Sequence, residues 1–305
     1  MKNFKPWILA ARPKTLFAGM SPVIIGLSVS YHLLNSIDII VATLTLVIAI
    51  FLQIGSNLAN DAYDFLKGSD NSINRKGPKR MAESGALEVK AIINVMYLIF
   101  ILCVLMGTYL VIKGGWPIII IGLASIFFAI LYTAGPFALA YNGLGDFFVF
   151  IFFGLISTIG TIFLQTKSLN GMELFFNNQF LIVLSSIAIG TLNTAILVVN
   201  NLRDYESDKL SRKNTIVVFL GKRFACYEYA FLLLINFICI VIIALITRNY
   251  FFIPFLFIGI FLSCNLTISI FNYDNINLNR LLEKTAKYTF FNAMFFAVSF
   301  YLDSL

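Results

Sequence analysis

The sequence predicts an all-α integral membrane protein in which nine transmembrane helices surround a central cavity. Three observations predict it. The 305 residues are 59% hydrophobic and only 12% charged, about half the charged fraction of a soluble domain. Apolar runs of about 20 residues, enough to cross a ~30 Å hydrocarbon core, recur along the chain. Lys and Arg collect in alternate connections, the mark of a chain laced through a bilayer with its positive loops on one side.

Taken in order, the expected spans are 15–34, 37–60, 89–112, 115–134, 144–166, 178–202, 224–247, 250–272 and 285–303. The first run is too long for a cleavable leader and reads as a retained span. Asn35-Ser36 and Lys113-Gly114 are tight connections on one side, whereas 61–88 and 203–223 are long connections on the other. An inside N-terminus puts nineteen of the 22 Lys and Arg residues inside, leaving Lys113, Lys167 and Arg248 outside. An odd number of spans then puts the C-terminus outside. The net charge of +7 follows from this topology and needs no nucleic-acid partner. Cys103, Cys226, Cys239 and Cys264 have no paired spacing and read as small buried hydrophobes. His32, the one histidine, excludes a histidine-built metal site and reads as interfacial. The whole of 1–305 is expected to form one polytopic domain.

Two acidic stretches stand where apolar runs meet basic loops. The first runs from Asn57 through Asn60, Asp61 and Asp64 to Lys67, Gly68 and Asp70; the second holds Asn200, Asn201, Arg203, Asp204, Glu206 and Asp208. Asn57 precedes Asp61 by four residues, as Asn200 precedes Asp204, and helix positions separated by three or four share a face. Each stretch can aim an amide and two carboxylates at one place. The stretches follow the second and sixth spans, so an even number of spans separates them. The repeat is therefore parallel: two four-helix units plus a ninth helix, with both motifs facing one cavity.

Acids beside a bilayer are functional candidates. A lone Asp at a helix end is as often merely solvated; two matched clusters are much harder to dismiss. Grouped carboxylates need a cation between them, and their hard oxygens suit Mg²⁺, which prefers a few protein ligands plus phosphate oxygens. Adjacent Lys and Arg residues suit the remaining phosphate charge. Asn57, Asp61, Asp64, Asn200, Asp204 and Asp208 are thus expected to hold Mg²⁺ against a diphosphate. The apolar bundle above would hold a hydrocarbon tail, and a polyprenyl diphosphate combines the two.

At this point the chain resembles the membrane aromatic prenyltransferases of the UbiA superfamily, through Asn60-Asp61-x-x-Asp64 and Asp204-x-x-x-Asp208. More narrowly it resembles the 1,4-dihydroxy-2-naphthoate polyprenyltransferases of menaquinone synthesis. The stretches that carry this are Ala11-Arg12-Pro13-Lys14-Thr15-Leu16, Lys67-Gly68-Ser69-Asp70, Gly77-Pro78-Lys79-Arg80, Tyr132 to Pro136, Tyr141 to Asp146, and Lys213-Asn214-Thr215. Arg212 stands where this family usually has Gly. No Lys or Arg lies between Pro136 and Asp146, unlike the 4-hydroxybenzoate branch. The resemblance implies that Asp61, Asp64, Asp204 and Asp208 are catalytic through Mg²⁺, that Lys67, Arg80, Arg203 and Lys213 neutralise the diphosphate oxygens, and that dihydroxynaphthoate loses CO₂ as it is prenylated to a demethylmenaquinone. It implies a bacterial inner-membrane enzyme, and the Lys and Arg asymmetry puts both acidic motifs at the cytoplasmic face. Arg12 or Lys14 is the expected partner of the acceptor carboxylate, and Asp146 a base or outer ligand. Tyr63, Tyr132 and Tyr141 read as interfacial belt residues. A different aromatic acceptor, or a secondary transporter, are the competing readings.

Overall fold

A computed structural model of the chain describes residues 4–69, 77, 80–274 and 277–305. Asp70, Pro78 and Lys79, part of the motifs above, lie outside the described residues. The long helices are α1 (Pro13–Leu34), α2 (Ile39–Leu66), α3 (Val89–Gly114), α4 (Trp116–Leu131), α5 (Gly145–Ser168), α6 (Gln179–Leu210), α7 (Lys222–Thr247), α8 (Phe252–Phe271) and α9 (Leu278–Asp303). Among the described residues seven of them are long and apolar enough to cross a membrane. The two others fall short for different reasons. Helix α4 is apolar but only 16 residues long, and α9 carries Arg280, Glu283, Lys284 and Lys287 along its first turns. The molecule is an integral membrane protein.

Local chemistry sets the breaks. Asn35 ends α1 in the left-handed conformation at φ 48°, which Asn tolerates because its short amide bonds locally. Asp38 starts α2 by accepting the Val41 N–H at 3.1 Å, satisfying one of the free amides of a helix start. Its main chain is clamped on both sides by Gln165 of α5, through Asp38 N to Oε1 at 2.9 Å and Nε2 to Asp38 O at 3.1 Å. Gly115, at φ 78°, separates α3 from α4.

Helix α6 is the axis of the bundle: 78% of its most apolar stretch is buried, against 11% for α2. It packs against α1, α5, α7 and α9. Helix α5 widens into a π-helical turn at Ile151–Ile156, and there it meets α6 backbone to backbone. A Cβ added at Gly154 would sit 2.6 Å from Gly190 Cα, so only glycine permits this crossing. Helices α1 and α9 close the ring with Phe17 on Phe290 (4.8 Å between centroids) and His32 on Phe300 (4.5 Å). His32 therefore belongs to a helix seam. The space left between helices α1 to α6 is the cavity.

Candidate active site

The cavity measures about 1370 Å³ and is walled mainly by aliphatic and phenylalanine side chains such as Ile48, Leu52, Ile126, Phe128, Phe152 and Ile156. Its polar end merges with a small pocket of about 30 Å³, room for about one water-sized occupant. That pocket is where the two acidic stretches meet. Asp64 and Ser69 reach it from the end of α2, and Asp204, Ser207 and Asp208 from the end of α6. Arg12, Asp64, Arg80, Asn200, Arg203 and Lys213 line both spaces.

Asp64 is buried, and three groups gather on it. Arg80 Nη2 donates to Oδ2 at 2.7 Å, Lys213 Nζ stands 3.8 Å from the same oxygen, and the Tyr141 hydroxyl is 2.9 Å from Oδ1. Tyr141 also lies 2.7 Å from Ser69 Oγ. Its ring sits between two ammonium groups, Lys67 at 4.3 Å and Lys213 at 5.2 Å from the centroid. Backbone pairing creates this meeting: Asn214 N–H donates to Tyr141 O at 3.2 Å, joining the loop after α4 to the loop after α6. Lys67 Nζ donates to Gly135 O at 2.8 Å. Burial, reinforced by Lys213, lowers the Lys67 ammonium below the ordinary lysine range despite the opposing pull of Asp64. Burial beside Asp64 pushes the Tyr141 phenol upward, keeping it protonated.

The second stretch is arranged differently. Arg203 grips its own neighbour Asp204 with two donors, Nε to Oδ1 at 2.8 Å and Nη2 to Oδ2 at 2.5 Å. The same guanidinium donates to Asn200 Oδ1 at 2.8 Å and to Asn279 Oδ1 of α9 at 3.2 Å. Arg212 follows in the left-handed conformation at φ 55°. A glycine would adopt this conformation without the steric cost that an arginine bears.

Two expected ligands have other work. Both oxygens of Asp61 accept backbone N–H groups, from Met81 at 3.1 Å and Ala82 at 3.0 Å. Asn57 Nδ2 donates to Ala11 O at 2.9 Å and Thr15 Oγ1 at 3.0 Å. Asp61 thus fixes the turn that delivers Arg80 to Asp64, and Asn57 fixes the break before α1 that carries Arg12. Neither lines the polar pocket. The amide that faces the cavity is Asn60, whose Oδ1 is buried with no hydrogen-bond partner among the described residues. Its signal was in the sequence: Asn60 precedes Asp64 by four residues, as Asn200 precedes Asp204. Tyr141 is a second residue beyond the expected set.

Of the acceptor candidates, Arg12 and Lys14 both line the cavity, and Lys14, largely exposed, also pairs with Glu283 of α9 at 2.7 Å at its rim. Asp146, at the start of α5, is 5% exposed and lines the cavity, its Oδ1 without a hydrogen-bond partner among the described residues. Among the described residues no three Asp, Glu, His or Cys side chains form a closed ion cage. The oxygens that face the pocket, from Asp64, Asp204, Asp208 and the nearby amides, fit a hard divalent ion that completes its shell with water and phosphate.

Comparison with known proteins agrees with this geometry. The model of the UbiA prenyltransferase family matches residues 19–296. The chain is 33% identical to the 1,4-dihydroxy-2-naphthoate octaprenyltransferase of Escherichia coli K12, covering 97% of this chain and 95% of that protein. It is 34% identical to the Haemophilus influenzae protein of the same name, covering 83% and 82%. A UbiA homolog from Archaeoglobus fulgidus, solved with GPP and Mg²⁺, shares the fold at a TM-score of 0.67 and 18% identity, covering 98% of this chain and all of that one. Converging acidic helix ends, the greasy chamber behind them and these likenesses lead to one conclusion: the chain belongs to the UbiA prenyltransferase family, enzymes of the membrane.

Proposed function

We propose that the protein transfers a polyprenyl group from polyprenyl diphosphate to 1,4-dihydroxy-2-naphthoate, with loss of CO₂ and diphosphate, giving a demethylmenaquinone at its quinol level. The observation that carries this reading is the meeting of the α2 and α6 ends in one polar pocket at the mouth of an apolar cavity. The acceptor is supported by the names of the similar bacterial proteins. In this reading 1–305 is one domain of nine spans, α1 to α9, with the N-terminus inside, the C-terminus outside, and the site facing the cytoplasm of a bacterial inner membrane.

Asp64, Asp204 and Asp208, with Asn60 and Asn200, would hold Mg²⁺; Asp61 and Asn57 act through the backbone they fix. The ion, when bound, supplies Lewis-acid stabilisation of the departing diphosphate. Arg80, Arg203 and Lys213 then exchange carboxylate partners, and Lys67 the Gly135 carbonyl, for phosphate oxygens and take up the charge that develops on them. Aliphatic and phenylalanine walls keep water from the allylic cation. Arg12 receives the acceptor carboxylate, and Asp146 takes a ring-hydroxyl proton as the ring attacks and returns it when the carboxylate leaves as CO₂, so that no net proton is released. The test is product analysis. Purified protein in lipid nanodiscs with Mg²⁺, a polyprenyl diphosphate and 1,4-dihydroxy-2-naphthoate is expected to release CO₂ and prenylated product in equal amounts. Absence of product, or preferential prenylation of 4-hydroxybenzoate, overturns the proposal.

A further inference from the structure

Asn193 lies on α6 seven residues before Asn200, about 10 Å along the helix axis toward the apolar end of the cavity. It is 3% exposed and lines the cavity. A polar side chain at such depth is costly without a role. Its Nδ2 donates to two carbonyls, Phe153 O in the π-helical turn of α5 and Ile189 O, each at 3.3 Å. Those two carbonyls fix the amide orientation, because the flipped amide would set oxygen against oxygen. Oδ1 is therefore the free end, and it has no hydrogen-bond partner among the described residues. The Gly154–Gly190 crossing beside it holds the two helices that orient it at backbone contact.

An unpartnered buried acceptor calls for a ligand that donates. Of the two substrates in the proposed reaction, the polyprenyl tail has no donor and the ionised diphosphate offers none. The aromatic diol has two hydroxyls. The 1-hydroxyl is ortho to the carboxylate and can satisfy itself within the molecule; the 4-hydroxyl must find an acceptor in the protein. We infer that Asn193 Oδ1 accepts the 4-hydroxyl of the acceptor ring, and so selects 1,4-diol acceptors over rings with a single hydroxyl. This rests on the functional reading above. It gives the π-helical turn a role, since wide turns of this kind collect at functional sites.

The experiment is steady-state kinetics on Asn193→Leu in nanodiscs, with 1-hydroxy-2-naphthoate as a competitive inhibitor. The KM for 1,4-dihydroxy-2-naphthoate is expected to rise about tenfold, the effect of one buried hydrogen bond. The KM for prenyl diphosphate and the inhibition constant of 1-hydroxy-2-naphthoate are expected to stay unchanged, because neither ligand offers the 4-hydroxyl. An unchanged diol KM overturns the inference. A parallel rise in the inhibition constant also overturns it, since Asn193 would then only shape the wall. Should Asn193→Leu fail to fold, Asn193→Ser carries the same comparison. Failure of the wild type to prenylate the diol sinks the functional reading itself, a result distinct from either outcome with the variant.

Discussion

The ends of α2 and α6 carry the same pattern, an Asn four residues before an Asp, yet the two acids are neutralised in opposite ways. Asp64 draws its partners from distant parts of the chain: Arg80, Lys213 and Tyr141 arrive on three separate loops. Asp204 is gripped by the residue beside it, and that same Arg203 occupies Asn200 as well. Asn60, its counterpart, faces the cavity with its oxygen open among the described residues. The first half of the site is thus assembled by tertiary folding and the second is largely built into one helix. Breaking a loop should damage the first half and leave the second nearly intact.

The largest expected effect follows from removing either acid. Asp64→Asn and Asp204→Asn should each lower kcat by two to three orders of magnitude or about 10²–10³-fold, the scale of losing one element of transition-state electrostatics. Retention of near-normal rate in either variant would remove that acid from the machinery. Next comes Asp61→Ala, which frees the Met81 and Ala82 amides and loosens the turn bearing Arg80. Its KM for prenyl diphosphate should rise about tenfold, with a lower Tm, from the loss of two charge-assisted hydrogen bonds. Collapse of kcat to the level of Asp64→Asn would instead make Asp61 part of the reacting site.

Smaller effects sharpen the contrast. Tyr141→Phe keeps the ring between Lys67 and Lys213 but deletes the hydrogen bond to Asp64. We expect a loss of about 1 kcal/mol, or roughly fivefold in kcat/KM. A pH profile isolates Lys67. Because its ammonium is held below the ordinary lysine range, it loses its proton as pH rises before a free lysine does, and diphosphate binding weakens on that alkaline side. Lys67→Arg stays charged, so the alkaline limb of kcat/KM should retreat to higher pH. Finally, Arg212→Gly relieves a left-handed residue at φ 55°, and thermal unfolding should show a gain of about 1 kcal/mol.

Much of the fold was legible in hydropathy. The expected first span, 15–34, falls inside Pro13–Leu34, and 224–247 inside Lys222–Thr247. The expected sixth span stops at 202, whereas α6 runs on to Leu210, because charged residues at the water-facing end of a helix do not break it. The acidic residues therefore stand on helix, not loop. The sequence could not choose between Asn57/Asp61 and Asn60/Asp64. Both pairs have the same spacing, and an offset of three residues turns a helix face by only about 60°; tertiary packing decides which pair sees the cavity. The partners of Tyr141 were equally hidden, since they depend on two loops pairing across 70 residues or more of chain. The π-helical turn leaves no composition signal at all.

The seam between α1 and α9 has a consequence for biogenesis. Of the nine long helices, α1 is made before all the others yet must wait for α9 before its inner flank is covered. Until then Phe17, His32 and their neighbours need a temporary companion, from lipid or from the insertion machinery. A nascent chain arrested before α9 would hold most of its helices and both acidic stretches, yet have an unsealed wall, which marks it for quality control.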